Sequence, residues 1–340
     1  MVLQHTETRP EAARYDRYPT RLGAPAPHLE RADPAVWGEV ESPELASFDA
    51  DGFAILDQLL TPDEVTEFSG EISRLASDPA LREDDRVIVE KSSNRVRSVF
   101  EVHKLSEAIA DLVRQPRVLQ LAEQVLGSPV YVHQSRVNYM PGFRGTGFYW
   151  HSDFETWHAE DGMPAPRAVS LSIALTDNYP INGSLMVMPG SHHTFVPCLG
   201  STPAEHYRES LQEQEIGVPT TDDITALANR YGISQFTGRA GSALLFDSNL
   251  MHGSSNNITP FPRSNIFVVF NSVHNTLVEP LAPPARRPGL NGNPPNTPPS
   301  PQYKFFFFIT PHPPPRAPPR PPPPRRPGYI GSRDFTPLSA

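Results

Sequence analysis

A chain of 340 residues with 38% hydrophobic content can bury a substantial core as one large domain or two. Its net charge of −9, with no basic stripe, removes the electrostatic term that nucleic-acid binding depends on, and no apolar run approaches a membrane span. The single cysteine, Cys198, excludes an internal disulfide and a cysteine-built zinc cage, so any bound metal must be held by nitrogen and oxygen. The amino-terminal run carries no apolar signal core, and a cytoplasmic location is expected.

In chain order, residues 1–42 are polar and broken by Pro19, Pro25, Pro27 and Pro34, and read as an extended arm on the domain that follows, 43–288. After the turn at Asp51-Gly52 comes a short strand, Phe53 to Leu56. Thr61-Pro62-Asp63-Glu64 then supplies a cap hydroxyl, a proline at the first helical position and a glutamate at the third, which predicts a helix to about Ala76. A second helix is predicted from Pro116 to Leu126, with Gly127 as its left-handed cap. From Val130 the pattern changes to short β-branched strands: Val130–Tyr139, Ala168–Leu175, Leu185–Met188, Ala243–Phe246 and Asn265–Phe270. Many strands without crossover helices predict a mainly β fold with flanking helices, an antiparallel double-sheet jelly roll (a double-stranded β-helix, cupin-like) whose mouth can hold a ligand. A polar insertion over 204–236 carries two predicted helices, Glu205–Glu215 and Thr221–Tyr231. Residues 289–328 are proline-rich, interleaved with arginine, and read as a low-complexity disordered insertion before a tail at 329–340.

The chemistry concentrates at His151-Ser-Asp153. Residues at i and i+2 of an extended segment project to one side, so an imidazole and a carboxylate can grip one ion while a third ligand comes from afar. With 12 histidines, roughly half a His-x-Asp match is expected by chance, so the tripeptide alone decides little. The surroundings add weight. His252 offers the third ligand, and two histidines with one aspartate make the facial triad of non-haem Fe(II) oxygenases, which leaves positions open for a co-substrate and O2. Eleven residues past His252, Arg263 precedes an apolar strand and could hold the far carboxylate of a chelating keto acid such as 2-oxoglutarate. Glu155 could rival Asp153 as the carboxylate ligand, though its side chain is longer. His158, His192 and His193 read as loop or supporting hydrogen-bonding groups, and Trp157 taken alone reads as a core residue.

Phe148-Tyr-Trp-His-Ser-Asp-Phe-Glu-Thr-Trp-His158, Glu160-Asp-Gly-Met-Pro164, Leu175-Thr-Asp-Asn178, Pro189-Gly-Ser-His192 and Asn271-Ser-Val273 resemble the signature stretches of the phytanoyl-CoA-dioxygenase-like Fe(II)/2-oxoglutarate oxygenases, and within them the ectoine-hydroxylating members. The resemblance covers about residues 10–288. It implies hydroxylation of the compatible solute ectoine to 5-hydroxyectoine with release of succinate and CO2. It also implies His151, Asp153 and His252 as iron ligands, Arg263 and Asn138 as 2-oxoglutarate contacts, and Gln134, Trp157 and Arg287 as ectoine contacts. Met140 stands where the family commonly has a lysine beside the co-substrate. Other readings stay open: a related hydroxylase acting on another small amino acid or an acyl chain, or a non-catalytic jelly roll that binds metal or solute. The expected partner is the small-molecule substrate, with neither nucleic acid nor membrane, and a homodimer is one assembly open to the chain.

Overall fold

A computed structural model describes residues 17–90, 94–200 and 217–280, and its helices start where the local sequence dictates. Two compact units divide the chain, Met1–Phe308 and Ile309–Ala340, and all described residues fall in the first. The predicted helix Glu205–Glu215, the proline-rich stretch and Arg287 lie outside the described residues. Helix α1 (Pro62–Ser77) opens on a complete capping box: Glu64 N–H donates to Thr61 Oγ1, and Thr61 N–H donates to Glu64 Oε2 at 2.8 Å. Its buried Phe68, Ile72 and Leu75 keep helical spacing on one face. Helix α2 (Glu107–Arg114) was not foreseen, because eight residues hold too little periodicity to stand out; Ser106 caps it through the Ile109 amide. Helix α3 (Pro116–Leu126) ends at Gly127 with φ +58°, the left-handed cap predicted for it. Two more helices, α4 (Asp153–Thr156) and α5 (Thr221–Tyr231), flank the sheets, and α5 has the bounds expected from sequence.

Thirteen strands among the described residues pair antiparallel throughout. The large sheet has the order β2 (Phe53–Leu56), β11 (Ala243–Asp247), β7 (Ala168–Ala174), β13 (Arg263–Ser272), β5 (Val130–Met140), β4 (Arg95–Phe100), β3 (Val87–Glu90). The smaller has the order β10 (Ser234–Gln235), β8 (Leu185–Val187), β12 (His252–Ser254), β6 (Phe148–His151), and a third pair joins β1 (Leu29–Glu30) to β9 (Thr194–Phe195). The six predicted strands are all present. The hairpin β3–β4 was missed, since Arg95, Arg97 and Ser98 interrupt its apolar alternation. This is the jelly roll expected from the strand pattern.

Opposed residues in an antiparallel sheet share a face, so the register reads out what faces inward. One row across the large sheet runs Phe53, Phe246, Ser170, Val269, Gln134. Two residues along β13, the next inward row joins Leu244, Ser172, Phe267, Arg136 and Phe100, and the following one joins Ala174, Asn265, Asn138 and Ser98. At the β13 edge Arg263 stands opposite Met140. Leu185, Val187, Phe236 and Leu250 close against Leu244, Phe246, Phe267 and Ala174, which seals one end of the space between the sheets with hydrocarbon. On the other face α3 packs across β5, β7 and β13, so β7 is buried along its whole length. Among the described residues no helix is long and apolar enough to cross a membrane.

Candidate metal and co-substrate site

Strand β6 ends at His151, Ser152 stays extended (φ −108°, ψ 127°), and Asp153 opens α4. The extended i, i+2 segment expected from sequence runs through Ser152 at the end of the strand, and the chain turns helical at the carboxylate. Ser152 makes that turn by accepting from the Glu155 amide at 3.4 Å while donating to Asn249 Oδ1 at 3.1 Å. The Phe154 amide donates to Ser248 O at 2.8 Å, so the loop before β12 holds both ends of the motif. Residue 152, extended between the two ligands, keeps them on the same side.

His252 is the first residue of β12 and sits directly across from His151, with ring centroids 4.3 Å apart. Asp153 Oδ1 lies 3.8 Å from His151 Nε2 and Oδ2 lies 4.0 Å from His252 Nε2, and one ligand atom from each of the three falls within 4.8 Å of the others. In each imidazole Nδ1 faces a main-chain carbonyl, Tyr149 O at 2.7 Å and Leu250 O at 2.9 Å. A carbonyl can only accept, so Nδ1 carries the proton and Nε2 presents its lone pair to the shared centre. Burial, reinforced by the neighbouring His252, pulls the His151 pKa down to about 4, so its ring is neutral near pH 7 and ready to ligate. Burial works to raise the Asp153 pKa, but His252, His151, Arg136 and the Ser170 hydroxyl outweigh it and hold the carboxyl below its usual range. Ser170 Oγ donates to Asp153 Oδ2 at 3.2 Å, and the Phe246 ring lies 4.9 Å from that of His252. Two imidazoles and one carboxylate, without sulfur, fit a divalent first-row ion such as Fe(II).

Arg263 is 3% exposed and its Nη1 has no hydrogen-bond partner. Burial lowers its pKa to about 10, which still leaves it charged at neutral pH. A desolvated guanidinium with an orphaned N–H fits an arriving carboxylate. Asn138, on the same inward face, accepts from Ser98 Oγ at 2.8 Å, and Asn265 Oδ1 beside it is also unpartnered. Met140, 4% exposed, extends between Gly145 and Gly183, whose lack of side chains makes room for its Cγ and Sδ.

Gln134 is buried two rows from Asn138 and accepts from Arg136 Nη1 at 3.3 Å. Trp157 is 2% exposed, packed with Phe154, Met163, Ala168 and Val269, with its ring centroid 5.0 Å from that of His133. Glu155 does not rival Asp153, since it turns away to Thr20 and Arg21. His158 is buried against Tyr18 and Phe154 with Nδ1 on Met163 O, and His192 and His193 stack and reach Asp49 O, so none of the three joins the triad. Arg136 and Ser170 were missed. Arg136 lies 5.0 Å over the Phe267 ring, and its charge reaches both His151 and Asp153. The signal was available: Gln134, Arg136, Asn138 and Met140 form one i, i+2 series along β5.

The buried histidines set a pH dependence with a definite sign. Burial, first among the causes in each, lowers His103 and His151 to about 4 and His192 to about 3. Between pH 6.5 and about 4 the unfolded chain takes up protons that the folded chain refuses, so stability falls as pH falls through that window. Thermal unfolding of the metal-free protein should show Tm dropping from pH 7 to pH 4.5; a flat profile would contradict neutral burial of these rings.

Comparison with known proteins agrees with this geometry. The phytanoyl-CoA dioxygenase family model matches residues 48–265. An ectoine dioxygenase of Nocardia farcinica is 74% identical over 337 residues, covering 99% of this chain and all of that relative, and so extends through the proline-rich end. Crystal structures of EctD from Sphingopyxis alaskensis superpose well. The form with bound Fe has TM-score 0.72 at 43% identity, covering 81% of this chain and 96% of that one. The form with 2-oxoglutarate and 5-hydroxyectoine has TM-score 0.71 at 44% identity, covering 79% and 94%. Fold, ligand set and sequence relationship coincide, and the chain belongs to the phytanoyl-CoA dioxygenase family.

Proposed function

We propose that this protein hydroxylates ectoine to 5-hydroxyectoine while decarboxylating 2-oxoglutarate to succinate and CO2, one atom of O2 entering each organic product. The observation that carries this is a triad that meets the inward face of the large sheet through the Ser170–Asp153 hydrogen bond, together with a buried guanidinium on that same face, Arg263, that keeps an unpartnered N–H. The substrate assignment follows the activity of the Nocardia relative. Fe(II), held by His151, Asp153 and His252, supplies the oxidising chemistry when bound. The chain's own residues do the rest. Arg263 anchors the far carboxylate of 2-oxoglutarate, and Asn138 offers a polar contact along its length. Gln134 hydrogen-bonds the ectoine ring, and the Trp157 indole forms an apolar wall against it. Arg287, outside the described residues, is assigned to the ectoine carboxylate. The hydrocarbon lining around Phe246 and Phe267 keeps bulk water away from the reacting centre.

The proposal takes 43–288 as the catalytic domain with 1–42 as its arm, the reaction as cytoplasmic and the assembly as a homodimer, which light scattering checks. Anaerobic loading with Fe(II), 2-oxoglutarate and ectoine, followed by oxygen, should yield 5-hydroxyectoine and succinate in equal amounts by mass spectrometry. Succinate without 5-hydroxyectoine would remove ectoine as substrate, and iron binding with neither product would favour a non-catalytic jelly roll. Met140→Lys should lower the 2-oxoglutarate KM about fivefold, since a cation opposite Arg263 adds about 1 kcal/mol of attraction to a dianion. An unchanged or raised KM would show that the thioether already suits this site.

A further inference from the structure

Glu155 and Glu160 bracket Trp157 in sequence, one in α4 and one in the π-helical turn Trp157–Asp161, and both turn to one guanidinium, that of Arg21. Arg21 Nε lies 3.0 Å from Glu155 Oε1 and Arg21 Nη2 lies 3.0 Å from Glu160 Oε1. The three side chains are 6%, 2% and 1% exposed, so one guanidinium is shared between two carboxylates away from water. Thr20 joins the cluster, donating its hydroxyl to Glu155 Oε1 and accepting from the Cys198 amide at 3.0 Å. Arg21 takes φ +57°, a left-handed conformation unfavourable for a branched-off side chain, and this backbone delivers the guanidinium to both carboxylates. Any side chain at Gly217 would overlap that guanidinium, so its seat is shaped on the far side too. Three residues earlier, Tyr18 packs edge-on to Phe154 at 5.2 Å and shares a core cluster with Trp157. The amino-terminal segment thus grips the Asp153–Asp161 turn at two points.

We propose that Arg21 is a positioning residue for substrate binding: by bridging Glu155 and Glu160 it fixes the turn between them and with it the orientation of the Trp157 indole. This rests on the reading of Trp157 as the ectoine wall. A planar five-donor fork can serve two carboxylates at once, whereas a lysine ammonium on a flexible stem fixes neither direction. Loosening the stretch from Glu155 to Glu160 displaces the indole, while Asp153 keeps its hydrogen bond from Ser170 and the Phe154 amide keeps its bond to Ser248 O. The predicted signature is therefore weakened ectoine binding with intact 2-oxoglutarate binding.

The test uses the full-length Fe(II)-loaded enzyme with Arg21→Lys, Glu160→Gln and, in parallel, Trp157→Ala. Glu160→Gln keeps shape and most hydrogen bonding, so it serves should Arg21→Lys fold poorly. For each, ectoine Kd is measured anaerobically by calorimetry with 2-oxoglutarate present, together with both KM values and the succinate to 5-hydroxyectoine ratio. Arg21→Lys and Glu160→Gln should raise ectoine Kd and KM about tenfold, within the ~10²-fold that a 1 Å misplacement can cost, leave the 2-oxoglutarate KM within about twofold, and release excess succinate. Unchanged ectoine Kd and one-to-one products in both variants, with only Tm lowered, would overturn the positioning role while leaving the Trp157 reading intact if Trp157→Ala weakens ectoine. Unchanged ectoine Kd in Trp157→Ala would overturn both.

Discussion

Replacing His252 with alanine should leave the fold intact, reduce iron affinity at least about a hundredfold and bring hydroxylation to background. Groups that merely orient a metal ligand are worth about 10–100-fold in affinity, so loss of the ligand itself should exceed the upper end. His252 contributes at two levels. Its Nε2 is one of three ligand atoms within 4.8 Å of one another, and its ring lies tilted against those of His151 and Phe246. Removal leaves Asp153 with one fewer partner for a carboxylate that burial alone would drive toward protonation. The measurement is iron per chain by mass spectrometry after anaerobic loading and desalting, with circular dichroism confirming the fold. Stoichiometric iron and turnover in the variant would show that the centre lies elsewhere.

The second large effect joins function to stability with opposite signs. Arg263→Gln should raise the 2-oxoglutarate KM by roughly thirtyfold or more, because truncating one partner of a buried, hydrogen-bonded charge pair costs about 2–5 kcal/mol. The same change should hold or raise the Tm of the metal-free protein. Without co-substrate Arg263 is a desolvated cation with an orphaned Nη1, its pKa drawn down to about 10 by burial alone, which is a cost that a neutral amide relieves. Steady-state kinetics with varied 2-oxoglutarate and a thermal melt of the same preparation read the two effects. A variant with an unchanged KM would place the anchoring cation elsewhere, and Arg136 on the same face would be examined first.

Local sequence determined whatever depends on neighbours in the chain. The capping box at Thr61, the left-handed Gly127 and the bounds of α5 follow from hydrogen bonds within one turn of helix. The strands from Val130 onward show in β-branched alternation, and His151, Asp153, His252 and Arg263 stand out by residue type and spacing. Only tertiary structure decided what those residues meet. Glu155 and Asp153 are two residues apart and chemically alike, yet one faces two imidazoles and the other faces Arg21, because the chain turns helical at Asp153. Arg136 became a site residue only when the register aligned β5 with β13, and Arg21 met Glu155 across a separation that no periodicity encodes. Hydrogen bonds within a turn are set by adjacent residues, whereas the partner of a buried charge is set by which surfaces pack, and packing is a property of the whole fold.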